Sequence, residues 1–302
     1  MSPPRHTNAG VAASCVQLPA GPWSTVLDFL CAHFPAIARV RWLDRIEHGR
    51  VQDAEGVPIV ARTAYSVGAR IYYYREVADE PRIAAEEAVL YADEHLVVAD
   101  KPHFLAVTPS GGFVAETLLT RLVRRLGNTD LVPLHRIDRD TAGLVLFSAN
   151  ARTRAPYHAL FRQRAIAKCY EALAAPLPEV SFPHVRRSRL VRGEPFFRMR
   201  EADGDPNSET RVNVIEHGKH FWRYALEPIT GRKHQLRVHM AALGAPIRND
   251  RLYPGLDSAT LSDVTRPLQL LAKSLAFVDP LDGKLRRFES GFGLESCTDV
   301  SR

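Results

Sequence analysis

The 302-residue chain has few cysteines, no long apolar run and no internal repeat, and each absence excludes a class of protein. Its four cysteines are scattered without a C-x-x-C pair, which argues against a zinc finger and a disulfide framework. The longest apolar runs, such as 143–147 and 268–272, are strand-sized, whereas a membrane span needs about 20 residues. Since the N-terminal region lacks the continuous apolar stretch of a secretory signal, we expect a cytoplasmic protein that does not contact membranes.

What is present is the composition of a globular protein with a substantial core, because hydrophobic residues make up 45% of the chain and charged residues 25%. The net charge of +6 is unevenly placed. Residues 186–200 contain six arginines against one glutamate, a local charge of +5. Such a run suggests a polyanionic partner, although a solvated loop would show the same composition.

Three stretches of different composition divide the chain. Residues 1–22 mix prolines and glycines without periodicity and predict a disordered tail. Residues 23–76 predict a small domain in which two helical segments precede short strands at 57–60 and 69–74. An acidic linker at 76–87 then leads into a larger domain, which we place at 86–295.

The larger domain contains strand, helix and hairpin patterns in an irregular order. A hairpin pattern at 89–99 is followed by helical patterns at 113–126, 151–164 and 233–243 and by strand patterns at 143–148, 170–174, 211–215 and 221–226. Because strands and helices do not alternate strictly, we predict an α+β fold rather than a doubly wound one. Its mixed, mainly antiparallel central sheet would carry flanking helices.

The first of three polar segments, 134–143, runs directly into the buried strand that follows it. Catalytic groups are often held on a loop at the mouth of such a strand, so one of its carboxylates is a candidate nucleophile or base. The alternative is that Asp138 and Asp140 only pair with Arg136 and Arg139 and cap a turn.

The other two polar segments are basic. In 229–240, a Thr-Gly turn leads into a helix whose first turn carries cations. Because the N-terminus of a helix is itself positive and disfavours cations, we expect an anion there, either a phosphate or an enzyme carboxylate. His234 and His239 are five residues apart, which argues against a metal site. In 168–172, Tyr170 lies beside many cations and could stack on a base or be purely structural.

Segments 135–147, 168–172 and 230–243 together resemble the three signature regions of RluA-type pseudouridine synthases, patterned H-R-L-D-x-x-T-S-G-L, K-x-Y-x-A and T-G-R-x-H-Q-[IL]-R-x-H. Segments 90–102 and 270–288 are similar to the opening hairpin and the closing strands of that family, and the order agrees over about residues 86–290. The resemblance implies an isomerase that converts specific uridines of ribosomal or transfer RNA to pseudouridine. It also implies a pseudouridine synthase-like catalytic domain and no metal or other cofactor.

The resemblance assigns roles to individual residues. Asp138 would be the essential aspartate, Arg237 the residue that pairs with it, Tyr170 the base-contacting tyrosine and Arg136 the residue that replaces the flipped nucleotide in the RNA stack. We expect structured RNA as the partner of a monomeric protein. Further RNA contacts are expected from His135, Arg139, Lys168, Arg232, Lys233, His234, Arg186, Arg187 and Arg189.

These assignments fit the chemistry that the reaction needs. Isomerisation breaks the bond from nitrogen 1 of uracil to the anomeric carbon and rejoins uracil to the sugar through carbon 5. Because a stacked base cannot enter the pocket where this happens, the nucleotide must first be flipped out of the RNA stack. An Asp138 that stays ionised beside Arg237 could attack the sugar or abstract a proton from it. Tyr170 could stack on uracil and take the proton from carbon 5.

The sequence departs from the family pattern at Ala142, where the family has Ser, and at 248–250, where Arg-Asn-Asp replaces a typical Leu-Gly-Asp. We expect Gly143 to permit the close approach that this region needs. These departures concern the identity of the substrate more than the chemistry, because the four principal residues are present.

The small domain is similar to the ribosomal protein S4-like RNA-binding module that precedes many such catalytic domains. A helix face with Arg39, Arg41, Arg45 and Arg50 would contact RNA phosphates without reading sequence. An ordinary helix surface with Trp42 as a core anchor is the alternative.

Two other functions remain compatible with the residues. The chain could be a non-catalytic RNA-binding or ribosome-assembly factor, in which Asp138 is structural. It could also be a glycoside or N-glycoside hydrolase that uses Asp138 and Asp140 as an acid and base pair, although two carboxylates at one turn are poorly placed to flank a bond.

Overall fold

The computed structural model describes residues 7–8, 11–74, 80–110, 112–257 and 263–297. They form two compact units: the first draws on residues 1–81, 109–116 and 120–129, and the second on 82–108, 117–119 and 130–302. The helices are α1 (Val26–His33), α2 (Arg39–Glu47), α3 (Leu118–Leu126), α4 (Arg154–Arg162) and α5 (Gln235–Ala242). The strands are β1 (Thr7–Asn8), β2 (Val11–Ala12), β3 (Ser14–Gln17), β4 (Val51–Gln52), β5 (Arg70–Tyr73), β6 (Ala88–Ala92), β7 (Leu96–Lys101), β8 (Val132–Pro133), β9 (Ala142–Ser148), β10 (Ala167–Ala174), β11 (His184–Arg192), β12 (Met199–Ala202), β13 (Ser208–His217), β14 (Trp222–Pro228), β15 (Leu270–Val278) and β16 (Leu285–Glu289).

The first unit packs α1 and α2 with a small sheet of strand order β3-β5-β4. The side chain of Thr25 caps α1 by accepting the backbone N–H of Asp28 at 3.1 Å. Strand β3 pairs with β5, and Leu18 is only 1% exposed, so the predicted disordered tail is wrong for residues 14–18. The four residues of this strand, Ser-Cys-Val-Gln, are too few and too weakly apolar to show an alternating pattern in the sequence.

The arginines of α2 do not form the single exposed face that the sequence predicts. Arg45 is buried, and its guanidinium lies 4.9 Å from the centre of the Trp42 ring. Arg39 pairs with Asp28 at 3.0 Å, whereas Arg41 is exposed. The prediction is therefore wrong for Arg45, because its guanidinium packs over the buried indole.

The predicted linker at 76–87 lies partly outside the described residues. Within its described part, the carboxylate of Glu80 accepts hydrogen bonds from the backbone N–H groups of Val114, Ala115 and Glu116 at 2.7–2.8 Å. The segments 109–116 and 120–129, which the sequence places in the larger domain, belong to the first unit.

The second unit is built on a large mixed sheet, which confirms the predicted α+β class. Its strand order is β12-β11-β13-β14-β10-β15-β9-β7-β6, with β16 paired to β15 and β8 to β9. The β15–β9 pair is parallel and the other pairs of this sheet are antiparallel. Helix α5 buries Leu236 and Met240 against Leu226 and its neighbours on the sheet. The arginine-rich segment that could have been a loop forms β11 and β12.

Strands β9 and β15 approach each other closely at Gly143. The φ angle of Gly143 is +109°, and a Cβ at this position would lie 2.3 Å from the backbone oxygen of Ala272. Only glycine fits such a backbone without strain. The loop that precedes β9 is thereby held beside β15, which also pairs with β10.

No helix within the described part of the chain has both the length and the apolar character that crossing a bilayer requires.

Candidate active site

A cleft of about 980 Å³ in the second unit is lined by the loop before β9, by β10 and by the start of α5. These are the three polar segments that the sequence singles out. Their residues meet because β9 and β10 are both neighbours of β15, while α5 packs against the same sheet. Of the residues expected at the site, eight line the cleft: His135, Arg136, Asp138, Lys168, Tyr170, Arg232, His234 and Arg237.

The loop that carries Asp138 is fixed by a buried lysine that sequence analysis did not identify. Lys101, at the end of β7, is fully buried, and its Nζ donates hydrogen bonds to the backbone oxygens of Pro102 and Arg139 at 2.9 and 3.0 Å. Burial lowers the pKa of Lys101 to about 7, with the charges of Asp140 and Asp138 opposing the shift. The lysine therefore ties β7 to the loop that carries Asp138.

Arg237 pairs with Asp138, as predicted, but it pairs more closely with a second carboxylate. Its Nη1 lies 3.4 Å from Asp138 Oδ2, whereas its Nε and Nη2 donate to the two oxygens of Asp250 at 2.7 and 2.6 Å. The side chains of Arg237 and Asp250 are 3% and 0% exposed. A buried arginine needs full pairing, and this requirement is the signal that could have identified Asp250.

The carboxylate of Asp138 is held ionised by its surroundings. Burial acts to raise the pKa of Asp138, but the nearby His234, Arg237 and Arg136 outweigh burial and bring the pKa below its ordinary value. The side chain remains 27% exposed and faces the cleft. It is thus a charged oxygen nucleophile or base at an accessible position.

Tyr170 lies in the wall of the same cleft and belongs to the buried cluster on the α5 side of the sheet. Burial, with a smaller contribution from the charge of Asp138, raises the pKa of Tyr170 above its ordinary value. The side chain is therefore a neutral phenol at pH 7. In this state the phenol can stack on a base or donate a hydrogen bond, and the role of Tyr170 toward carbon 5 stays a prediction.

The turn before α5 is shaped by Gln235. Its side-chain oxygen accepts from Thr230 Oγ1 at 2.6 Å and from the N–H of Arg232 at 3.1 Å, while its Nε2 donates to Glu209 O. This turn ends in a left-handed residue, His234, with φ +55°. Its ring is 3.9 Å from Asp138, so the anion expected near this basic helix start is an enzyme carboxylate.

The cleft is strongly cationic. Arg164 and Arg211 line it in addition to the residues expected from the sequence, and neither was identified as a site residue. The cations in its wall are Arg136, Arg164, Lys168, Arg211, Arg232 and Arg237, against the acids Asp138 and Glu227. A concave surface of this charge attracts a polyanion and concentrates it at the ionised Asp138.

Several residues expected to bind RNA lie outside the cleft wall: Arg139, Lys233, Arg186, Arg187 and Arg189. Arg139 pairs with Asp140, Arg186 with Glu201, and Arg187 with Glu209. Two of the six arginines in the arginine-rich segment are therefore paired with acids of neighbouring strands.

His135 lies in the cleft wall but is used by the fold. Its Nε2 accepts the backbone N–H of Leu146 at 3.1 Å, and its ring stacks on Phe161. Burial lowers the pKa of His135 to about 3, so its ring is neutral and cannot form an ion pair with a phosphate.

Comparison with known proteins agrees with this geometry. Residues 95–242 match the family described as RNA pseudouridylate synthase. The chain is 28% identical over 285 residues to the ribosomal large subunit pseudouridine synthase D of Pseudomonas aeruginosa, covering 87% of each chain. It is 32% identical over 206 residues to the dual-specificity RNA pseudouridine synthase RluA of Salmonella typhimurium, covering 67% of this chain and 91% of that protein.

A solved structure shares the fold. The human RNA pseudouridylate synthase domain containing 1 superimposes with a TM-score of 0.57 at 23% identity, covering 70% of this chain and 86% of that one. At this identity the likeness concerns the fold alone. Taken with the sequence relatives, it leads to one conclusion: this chain belongs to the RluA family of RNA pseudouridine synthases, which are isomerases that act on RNA.

Proposed function

We propose that this chain converts specific uridines of a structured ribosomal or transfer RNA to pseudouridine. The observation that carries the proposal is the ionised carboxylate of Asp138, 3.4 Å from Arg237 in a cationic cleft that also contains Tyr170. Two of the relatives, a ribosomal large subunit pseudouridine synthase and a dual-specificity RNA pseudouridine synthase, support this class of RNA.

The residues of the cleft match the steps of the reaction. The target nucleotide leaves the RNA stack, and Arg136, which is exposed at the cleft wall, takes its place. Asp138 then attacks the sugar or removes a proton from it, the bond between nitrogen 1 and the anomeric carbon breaks, and uracil turns. Carbon 5 then bonds to the anomeric carbon as Asp138 leaves the sugar or returns its proton to it. The freed carboxylate, which is 27% exposed, accepts the proton from carbon 5 and releases it to solvent, while Tyr170 packs against the ring.

The release of tritium from carbon 5 of labelled uridine tests this proposal. We expect release from a structured RNA with the wild-type protein and none with Asp138→Ala, which should bind RNA with little change in affinity. Asp140→Asn is the matched control, because Asp140 pairs with Arg139 and does not line the cleft. It should keep most of the activity.

The same experiment separates the alternatives. If the wild-type protein binds RNA but releases no tritium from any ribosomal or transfer RNA, the chain is a binding or assembly factor. Free uracil among the products, and loss of activity in both Asp138→Ala and Asp140→Asn, would indicate a glycoside hydrolase.

We further propose that the N-terminal unit contains an S4-like RNA-binding module at 23–76, and that 86–295 holds the catalytic domain apart from the segments 109–116 and 120–129, which belong to the first unit. Its support is a pair of helices packed with a three-stranded sheet and the exposed cation Arg41 at the start of α2. Arg41→Glu should weaken RNA binding without changing the rate at saturating RNA, and an unchanged affinity would remove this assignment.

The proposal also includes a monomer that works in the cytoplasm, where ribosomal and transfer RNAs are found. Light scattering of the purified protein at micromolar concentration should give the mass of one chain, 33.7 kDa. A dimer mass would contradict it.

A further inference from the structure

Tyr253 lies between the catalytic residues and the β11–β12 hairpin, and nothing in the sequence motifs assigns it a role. The residue is 5% exposed. The guanidinium groups of Arg198 and Arg237 lie 5.1 and 5.5 Å from the centre of its ring. Its hydroxyl oxygen lies 2.7 Å from the backbone nitrogen of Met199 and 2.9 Å from His234 Nδ1.

The direction of these two hydrogen bonds follows from the groups involved. A backbone N–H can only donate, so the tyrosine oxygen accepts from Met199. The phenolic hydrogen then needs an acceptor, and in the described part of the chain His234 Nδ1 is the acceptor within reach. Because a buried hydroxyl without an acceptor is costly, Nδ1 of His234 accepts. The proton of the neutral imidazole must therefore lie on Nε2.

The Nε2 atom of His234 faces the catalytic carboxylate at 3.9 Å from Asp138 Oδ1. This distance exceeds a direct hydrogen bond, so the N–H is within electrostatic reach of Asp138 and open to an oxygen of a bound nucleotide. Catalytic hydrogen bonds are often longer before substrate binds.

The surroundings of His234 also favour the neutral ring. A second proton on Nδ1 would have to point at the tyrosine oxygen, which would leave the tyrosine O–H without its acceptor. Burial lowers the pKa of His234, and so do the cations Arg237 and Lys233, whereas the carboxylates Asp138 and Asp250 oppose the shift. The net shift is downward, so the imidazole is uncharged at pH 7.

We propose that Tyr253 is a positioning residue of the active site, which holds His234 as the neutral Nε2–H tautomer and so directs an uncharged hydrogen-bond donor toward Asp138. The effect of this positioning on catalysis rests on the proposed function. At pH 7 the charges of Arg237 and Arg136 keep the carboxylate ionised, and His234, which adds positive charge only when it is protonated at lower pH, contributes an uncharged donor. The left-handed backbone of His234 fits this role, because strained residues persist where the surrounding structure fixes them.

The tautomer can be measured without any activity. Long-range ¹H–¹⁵N correlation spectra of histidine-labelled protein, with His234→Gln to identify the signal, report which ring nitrogen carries the proton. We expect an unprotonated Nδ1 and a protonated Nε2 at pH 7, and loss of this fixed tautomer in Tyr253→Phe. A protonated Nδ1 in the wild-type protein would overturn the proposal.

The catalytic consequence needs a second measurement with a matched control. Tyr253→Phe removes one hydroxyl, and Tyr157→Phe removes another buried hydroxyl that donates to Asp279 away from the cleft. We expect Tyr253→Phe to lower the single-turnover rate roughly tenfold, about the effect of one hydrogen bond, and to move the acidic limb of the pH–rate profile upward. Tyr157→Phe should leave that profile unchanged.

The outcomes separate the two proposals. If the wild-type protein is active and Tyr253→Phe keeps the wild-type pH profile, the positioning role is wrong. If the wild-type protein releases no tritium, the proposed function fails, while the spectra still decide the state of His234.

Discussion

At the scale of single residues, the site depends on ionisable groups that the fold buries. Lys101 and Arg237 are 0% and 2% exposed, and each is held by specific oxygen acceptors. The motif identified Arg237 and Asp138, because their spacing along the chain is characteristic. It did not reveal Lys101 or Asp250, since their importance lies in desolvation and pairing across distant segments.

The buried lysine predicts a pH dependence of stability. The pKa of Lys101 is about 7 in the folded protein and ordinary in the unfolded chain, so between these values the unfolded chain binds more protons. The free energy of unfolding should therefore rise with pH from 7 toward 10. Between pH 7 and 9 the wild-type protein should gain about 2 kcal/mol relative to Lys101→Met.

Urea unfolding at pH 7, 8 and 9 measures this difference. Lys284→Met, at an exposed lysine of the β15–β16 turn, is the control and should follow the wild-type pH dependence. Parallel curves for wild type and Lys101→Met would show that the lysine keeps an ordinary pKa.

At the scale of helices and strands, periodicity predicted most elements of the second unit but missed those with polar outer faces. Strand β11 exposes Arg187 and Arg189 and buries Leu190. Because so many of its residues are arginines, the composition of this strand resembles that of a solvated loop. In an antiparallel sheet one face can be fully solvated, and a strand then carries little apolar signal. Strand β3 was missed because its four residues, Ser-Cys-Val-Gln, are too few to show an alternating pattern, and the predicted strand at 57–60 is not formed.

The contact between β9 and β15 predicts a severe effect of Gly143→Ala. The added methyl would lie 2.3 Å from the oxygen of Ala272, and a φ of +109° is unfavourable for alanine. We expect a loss of about 3 kcal/mol or more of stability, or a protein that does not fold. Gly255→Ala, where a Cβ meets no atom within 4 Å, should change the unfolding temperature little.

Thermal unfolding followed by circular dichroism distinguishes these variants. Equal unfolding temperatures for Gly143→Ala and Gly255→Ala would mean that the two strands can separate without cost. The sequence already favoured glycine at 143, but only the parallel pairing of β9 and β15 shows which backbone approaches it.

At the scale of the whole molecule, the positions of the charged residues tell more about RNA binding than the net charge of +6 does. The sequence drew attention to residues 186–200, yet Arg186 and Arg187 are paired with glutamates. The cleft instead gathers cations from four separated segments, including Arg164 and Arg211. Such a surface arises only on folding, which is why the motifs found the catalytic carboxylate but not the full electrostatic surface.

The placement of charge predicts how salt weakens RNA binding. Each phosphate contact that is lost should reduce the slope of log affinity against log salt concentration by about 1. We expect this reduction for Arg164→Ala and for Arg211→Ala, since both residues line the cleft. Lys284→Ala, which is outside it and pairs with Asp282, should leave the slope unchanged.

Filter binding or fluorescence anisotropy between 50 and 300 mM salt, with catalytically inactive Asp138→Ala as the common background, gives these slopes. Identical slopes in all three variants would place the RNA path elsewhere on the protein.

The pairing of Arg237 with two carboxylates limits which amino acids can replace it. Its Nε and Nη2, on one edge of the planar guanidinium, donate to Asp250, and the remaining nitrogen, Nη1, donates to Asp138. A lysine would keep the positive charge but offers a single ammonium centre, which cannot satisfy both carboxylates at these distances. Conservation of charge alone is therefore insufficient at 237, where the shape of the cation matters as much as its sign.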